Sequence, residues 1–359
     1  MISGNDLRQK FVEYFKDKLN HNHLPSSSLI PDNPTVLLTP AGMLQFVPVF
    51  LGYQDPPDPP RVVTYQKCAR AGGKDSDIEN VGRTPRHHTF FEMLGNFSFG
   101  DYFKHEVIPW AWQFVTDDLG LDKQKLWATV FENDDESFEI WNKTVGIPEE
   151  RILRCGKKDN FWGPPGPTGP CGPCTELHYD LGEDLKCGPN CKPNACDCDR
   201  WVEIWNLVLM ELYQDEEGNH TSLEKKNVDT GMGLERIAMV CQNKRSTFET
   251  DLLKPILDKV CNITGKQYNK SKKTDVSLRI ITDHARCVTF MVADGLTPGN
   301  VGRNYVLRMI LRRALRHGKI LGVKGTFLHT IVNTVIDLYK NAYPEIDHNR
   351  EKVIDIIKT

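Results

Sequence analysis

Two glycine-bearing basic segments are the first places in this sequence where chemistry could be done. At 66–74 the run QKCARAGGK sets Arg70 and Lys74 around a glycine pair, and the aromatic run HHTFFEMLG returns at 87–95 after a polar loop. A phosphate needs rigid cationic donors at close approach, and an Arg at a strand end offers a planar, bidentate one. A solvated basic turn would have the same composition. At 228–237 the run VDTGMGLERI places Gly231 and Gly233 just ahead of Arg236. Two glycines allow a tight strand-to-helix turn and close backbone approach, with Arg236 in the first helical turn facing whatever the turn holds. The run is not a dinucleotide fingerprint, because Arg stands where the third glycine belongs. In isolation it reads as a plain glycine turn.

The cysteines offer two further chemistries. Cys171-Gly-Pro-Cys174 has the spacing of a redox dithiol. Such a pair needs its first thiol at a helix N-terminus, where the dipole stabilises the thiolate. Here the following residues TELHYD have a strand pattern, which argues against redox work. Cys187, Cys191, Cys196 and Cys198 fall in one loop with Gly188, Pro189 and Pro193. Four thiols that close could wrap a tetrahedral zinc, which would be structural because a four-thiolate shell leaves no open position. An ordinary reduced loop is the alternative, since C-x3-C-x4-C-x-C is not a standard knuckle. In the C-terminal third, Arg308, Arg312 and Arg316 recur at every fourth residue, with Arg303 one turn earlier. One helix face so charged can follow a phosphate backbone, or it can simply be a solvated face.

These residues need elements to hold them. Strand patterns occupy 61–66, 87–92, 126–131, 175–180 and 201–213, the last apolar on both faces as in a sandwiched strand. Amphipathic helices are expected near 106–118 and 135–145. An N-terminal helix carries Leu7, Phe11, Phe15 and Leu19 on one face, with Asn5 or Asp6 as its cap. Strands with uneven connections and no regular strand–helix alternation predict an α+β fold on an antiparallel sheet. Beyond about residue 250 the pattern turns helical, at 278–293, 305–321 and 327–342, with breaks at 295–299 and 322–325. The expected division is therefore 1–248 for a catalytic domain and 249–359 for a helical one. The sequence stops within a helical pattern, as a chain that continues further would.

Bulk properties exclude little but are consistent. The 359 residues are enough for about two domains. The net charge of −3 means that any nucleic-acid contact must come from a local basic patch. No apolar run reaches the roughly 20 residues of a membrane helix. Eleven cysteines, an odd number and clustered, fit reduced thiols in a cytoplasmic compartment better than a disulfide framework.

Taken together, an Arg at a strand end, an aromatic return strand and a later Gly-x-Gly-x-x-Arg resemble motifs 2 and 3 of the class II aminoacyl-tRNA synthetases. The wording is most similar to the alanyl-tRNA synthetase family. TPAGMLQF at 39–46, CARAGGK at 68–74, HHTFFEMLGNFSFGDYFK at 87–104, TGPCGPCTE at 168–176, EIWN at 203–206, VDTGMGLERI at 228–237 and NYVLRMILRRALRHG at 304–318 run in the family's order. The resemblance implies a class II catalytic domain followed by an all-helical tRNA domain, with alanine, ATP and Mg²⁺ as substrates and cofactor. It further implies that Arg70 contacts the α-phosphate, that Lys74 and Arg236 serve the other phosphates, and that Phe90 stacks on adenine near Glu92 and Met93. Gly231 and Gly233 would line the nucleotide site. Met43, Trp162 and Asn206 would wall the amino-acid pocket, and Asp229 would pair with the α-ammonium. Asn300, Arg303, Arg308, Arg312 and Arg316 would meet the tRNA acceptor stem. The family carries the CGPC segment as part of its active-site wall. Many members have Asn where this chain has Pro40, so no substrate contact is expected there. This stretch is expected to be monomeric, and its cysteine cluster is distinct from the family's zinc site, which lies in an editing region.

Overall fold

The computed structural model describes residues 2–72, 76–164, 166–196 and 198–358. Its centre is a nine-stranded sheet: β1 (Asn22–His23), β2 (Arg61–Ala69), β3 (Phe90–Phe99), β4 (Leu126–Phe131), β5 (Ile152–Cys155), β6 (Phe161–Trp162), β7 (Gly169–Asp180), β8 (Trp201–Gln214) and β9 (His220–Gly233). The spatial order is β1-β2-β3-β9-β8-β7-β4-β5, with β6 pairing β7 off this path. The interior pairs are all antiparallel, as expected from the uneven connections, whereas the edge pairs β1–β2 and β4–β5 are parallel.

Local chemistry explains most boundaries. The first helix, Gly4–Glu13, is capped by Ser3, whose hydroxyl accepts from the Asp6 backbone while the Asp6 carboxylate accepts from the Ser3 backbone. This reciprocal box corrects the expectation of Asn5 or Asp6 as the cap: Asp6 is the third helical residue, the position from which a carboxylate reaches back. The 87–92 strand begins three residues later, at Phe90, because His88 and Thr89 are occupied with side-chain hydrogen bonds to the helical region. β9 escaped the sequence reading. Its first half, HTSLEKK, is polar and mostly exposed, and only Asn227 to Met232 enter the sheet interior. Consequently Gly231 and Gly233 do not form a turn. They end a strand that passes straight into the helix Leu234–Cys241, with Gly233 as the extended N-cap.

One apolar cluster joins the first helix to the sheet through Phe11, Phe15, Phe114 and Trp205. A second joins Ala69 and Phe90 to Phe290, Leu307 and Tyr339, so the helices after residue 250 pack directly on the edge of β2 and β3. Those helices span Lys254–Thr264, Lys272–Ala293, Gly302–Ile320, His329–Tyr339, Pro344–His348 and Arg350–Lys358. A third, smaller cluster around Met43, Phe46, Phe97 and Val208 lies on the opposite face of the sheet.

Candidate active site

A single cavity gathers side chains from β3, β6, β7, β8, β9 and the start of the Leu234–Cys241 helix. Arg70, Phe91, Met93, Trp162, Asn206, Asp229, Gly231 and Arg236 all line it, although 166 residues separate the two arginines in sequence (236 − 70). The sheet register explains the convergence. Asn206 pairs with Gly231 and Glu176 pairs with Asn206, so these three positions form one row across β7, β8 and β9. Gly231 gives Met93 its room there: a Cβ would approach the Met93 sulfur to 2.9 Å, and the methionine would have to shift.

Arg70 leaves the end of β2 and donates from Nε to the Pro40 carbonyl at 3.1 Å, while its guanidinium lies 5.1 Å from the centre of the Phe91 ring. Pro40 thus contributes its backbone oxygen, a contact that needs no amide side chain. Arg236 donates from Nη1 to Glu203 Oε2 at 3.0 Å and to the Glu203 carbonyl at 3.2 Å. Enclosure by the cavity walls pushes the Glu203 carboxyl up, yet Arg236, His178 and Arg70 together bring it below its ordinary value. Both guanidiniums therefore act on one carboxylate. Asp77 is raised, chiefly by burial, against the pull of the same two arginines. His87 is pushed down to about 3 by burial and by Arg236 and Arg86, so its ring is neutral at physiological pH. Arg70, Arg86 and Arg236 line the cavity among several carboxylates, so phosphate oxygens would find local guanidinium partners there rather than a uniformly positive field.

Asp229 stands apart. It is 5% exposed, and burial alone raises its carboxyl to about 7. Neither a cation nor a hydrogen-bond donor partners it among the described residues. A buried carboxylate without a partner is expensive, so a ligand cation is the natural complement. Near it in the cavity wall, Asn206 donates from Nδ2 to Glu176 Oε1 at 3.2 Å, and its Oδ1 is buried without a partner. Because a carboxylate only accepts, Glu176 fixes which end of the Asn206 amide it holds and leaves the other end an acceptor. Glu176 is itself held by Thr129, His178 and Asn194, all donating to Oε2 within 3.1 Å. Trp162 lines the same cavity.

Three expected positions lie outside the cavity lining. Phe90 is fully buried on the other face of β3, stacked on Phe290 with ring centroids 4.2 Å apart. Glu92 shares that face, bound by Arg8 at 2.6 Å and Tyr343 at 2.8 Å. Strand alternation is the reason: side chains two apart share a face, so Phe91 and Met93 look into the cavity while Phe90 and Glu92 look away. Met43 lies behind the cavity in the cluster with Phe97 and Val208, and from its segment it is Ala41 that reaches the wall. Lys74 lies outside the described residues. The sequence reading missed Phe91, Asp77, Glu176 and Glu203. The period-2 alternation of FFEM would have exchanged Phe90 for Phe91; for the three acids no local signal exists.

The cysteines separate cleanly. Cys171 and Cys174 lie within β7, both buried; burial pushes the Cys171 thiol up to about 11 and that of Cys174 well above its usual value. Raised thiols within a strand are the reverse of what dithiol exchange requires. In the loop after β7, the four sulfurs of Cys187, Cys191, Cys196 and Cys198 lie within 4.8 Å of one another. The Cys191–Cys198, Cys191–Cys196 and Cys196–Cys198 separations are 3.5, 3.8 and 3.4 Å. Tetrahedral zinc with bonds of about 2.3 Å sets its sulfurs about 3.8 Å apart, so the donor set fits that ion.

Away from the cavity, the Gly302–Ile320 helix has no acidic residue. Arg308, Arg312 and Arg316 are exposed, and none of them, nor Arg303, forms a salt bridge among the described residues. Arg308 is hydrogen-bonded to Asn300, uniting two of the expected tRNA contacts. On the inner face of the same helix, Arg313 meets His284 at 2.9 Å, His284 meets Asp283 at 2.9 Å, and Asp283 meets His88 at 3.0 Å. A buried polar chain thus runs from the basic helix to the cavity wall.

The family described as tRNA synthetases class II (A) matches residues 6–359. An alanine–tRNA ligase of Desulforamulus reducens is 53% identical over 365 residues, covering 100% of this chain and 40% of the relative. One from Fusobacterium nucleatum is 54% identical over 361 residues, covering 100% and 41%. The chain therefore spans about 40% of the length of these curated relatives. Among solved structures, a pyrrolysyl-tRNA synthetase from Desulfitobacterium hafniense aligns with 69% of this chain and 72% of its own, at 12% identity and a TM-score of 0.39.

Proposed function

The chain belongs to the family described as tRNA synthetases class II (A), and from that premise we propose that it activates alanine with ATP and transfers it to the 3′ end of tRNA(Ala). The observation that carries this reading is Asp229: a buried, unpartnered carboxylate in a cavity that also holds Arg70 and Arg236. A zwitterionic substrate needs a carboxylate for its ammonium and cations for the phosphates that its own carboxylate will attack.

In this mechanism Asp229 and the Asn206 carbonyl oxygen hold the α-ammonium, and Trp162 limits the room for the side chain. Arg70 holds the α-phosphate where the alanine carboxylate attacks it, and Arg236 neutralises the departing pyrophosphate. Arg236 must exchange part of its grip on Glu203 for the nucleotide. Phe91, rather than Phe90, offers its ring to adenine, with Met93 and Gly231 beneath; Lys74 would serve the phosphates. Glu203, the cavity carboxylate beside Arg236, would help hold Mg²⁺, which would offset charge on the phosphates. No covalent intermediate with the protein is needed. Transfer to tRNA uses Asn300, Arg303, Arg308, Arg312 and Arg316 against the acceptor stem, which divides the chain into a catalytic part to residue 248 and a helical part from 249.

Cys187, Cys191, Cys196 and Cys198 hold a structural zinc in this reading. Among the described residues no helix is long and apolar enough to cross a membrane. Thiols that are all free suit a reducing, cytoplasmic setting. ATP–pyrophosphate exchange with alanine, serine and glycine side by side, followed by aminoacylation of purified tRNA(Ala), tests the assignment. Alanine-preferring exchange and charging support it; exchange stimulated by none of the three, or tRNA binding without exchange, sinks it.

A further inference from the structure

The cysteine loop reaches the amino-acid pocket directly. Between β7 and β8, residues 186–199 contain no Val, Leu, Ile, Met or aromatic residue, and the described part has no helix or strand. Burial cannot fix the shape of such a segment, whereas four thiolates on one ion can. From inside this loop Asn194 donates to Glu176 Oε2 at 3.0 Å. Glu176 in turn accepts from Asn206, the residue whose free acceptor faces burial in the cavity wall. Asn194 has φ +56, a left-handed conformation that Asn adopts more readily than most residues. At the loop's other end Asp199 pairs with Arg86, itself a cavity residue, at 2.6 Å. The loop thus touches the site on two sides, through one hydrogen bond and one ion pair.

We infer that the metal loop is a positioning device for the alanine pocket: zinc on Cys187, Cys191, Cys196 and Cys198 holds Asn194 on Glu176, which fixes the Asn206 amide for the substrate ammonium. Asn194 touches no substrate and acts through Glu176. The inference rests on the alanine-activating reading and deepens it. Loss of the metal frees the loop, removes one donor from a buried carboxylate and lets the Asn206 amide turn. The consequence falls on alanine and leaves Arg70, Phe91 and Arg236, the groups assigned to the nucleotide, as they were.

The test uses Asn194→Gly, which deletes the amide while glycine keeps the positive φ without strain. Zinc content by atomic absorption, and separate KM values for alanine and ATP in pyrophosphate exchange, are read for wild type, Asn194→Gly, Asn194→Asp and Cys191→Ser. Wild type should hold about one zinc per chain, and Asn194→Gly should retain it. Asn194→Gly should raise the alanine KM about tenfold or more, the loss expected for a hydrogen bond to a buried charge, with the ATP KM unchanged. Asn194→Asp, which sets a carboxylate against Glu176, should be worse than glycine. Cys191→Ser should lose zinc and show the same alanine-specific defect. Absence of zinc in wild type, an unchanged alanine KM in Asn194→Gly, or equal losses for alanine and ATP each overturn the inference. These outcomes are separable from failure of the activity assignment, in which wild type itself shows no alanine-dependent exchange.

Discussion

At the scale of single residues the site is a problem in charge placement. Asp229 costs the fold stability: with its folded carboxyl at about 7, the native state binds a proton that the unfolded chain releases near pH 4. Where the native state binds more protons, stability falls as pH rises, so this loss accumulates from about pH 4 to 7. Asp229→Asn should therefore raise the melting temperature at pH 8 while abolishing productive alanine use. A melting temperature that drops, or an alanine KM that does not move, would contradict the role. In wild type the alanine kcat/KM should climb as pH rises through about 7, because only the ionised carboxylate receives the ammonium. The aromatic pair gives a second prediction. Phe91→Ala should weaken ATP with the fold intact, whereas Phe90→Ala should destabilise by about 3–5 kcal/mol, as for a buried core Phe, with the ATP KM of the folded protein preserved. The reverse pattern in thermal melts and exchange kinetics would restore Phe90 to the site. The sequence marked Arg70, Asp229 and Arg236 through the family's motifs, and all three line the cavity. It did not make Glu176 or Glu203 legible, since a carboxylate on a strand becomes functional only through partners on other strands.

At the scale of elements, register does the assembling. β8 was readable because it is apolar on both faces; β9 was not, because half of it lies in solvent, yet it carries Asp229 and Gly231. Hydrophobic periodicity reports burial, and a half-exposed strand lacks it. The Asp283 chain is the other element-scale device. Asp283 is fully buried; although burial pushes its carboxyl up, hydrogen bonds from His284 and His88 hold it well below the usual carboxylate range. A depressed carboxyl contributes stability above its unfolded value near pH 4, and that contribution fades as pH falls further. Asp283→Asn should cost about 3–5 kcal/mol at pH 7, since it leaves the Thr89 and His88 donors partly unpaired in the interior. Denaturant melts at pH 7 check this; a change below about 1 kcal/mol would mean that the chain is incidental.

At the scale of the whole molecule a net charge of −3 hides a sharply divided surface. The exposed side of the Gly302–Ile320 helix is basic, with no salt bridge to Arg308, Arg312 or Arg316 among the described residues, and it is joined through Arg313, His284 and Asp283 to the wall of the cavity. Arg308, Arg312 and Arg316 replaced together by Ala should weaken tRNA(Ala) binding and lower the magnitude of the log K–log salt slope by about 2–3, one per lost phosphate contact. Alanine-dependent exchange should be unaffected by the triple change. An unaltered salt slope would show that this face is merely solvated. The helices themselves were readable from their period, and so was the shift from strands to helices near residue 250. What the sequence could not convey is that the two regions share one apolar cluster, because contacts between Phe90 and Phe290 leave no mark on either segment alone.

All of this depends on Arg70 and Arg236 meeting one nucleotide while Asp229 waits for the ammonium. The most direct measurement is alanine-dependent ATP–pyrophosphate exchange by Arg70→Ala, with circular dichroism to verify the fold. Removing one preorganised donor at the reacting phosphate should reduce the rate by about 10²–10³-fold in a protein that still melts cooperatively. Exchange near the wild-type rate in that folded variant would mean that the α-phosphate is held elsewhere, and the site described here is not where alanine is activated.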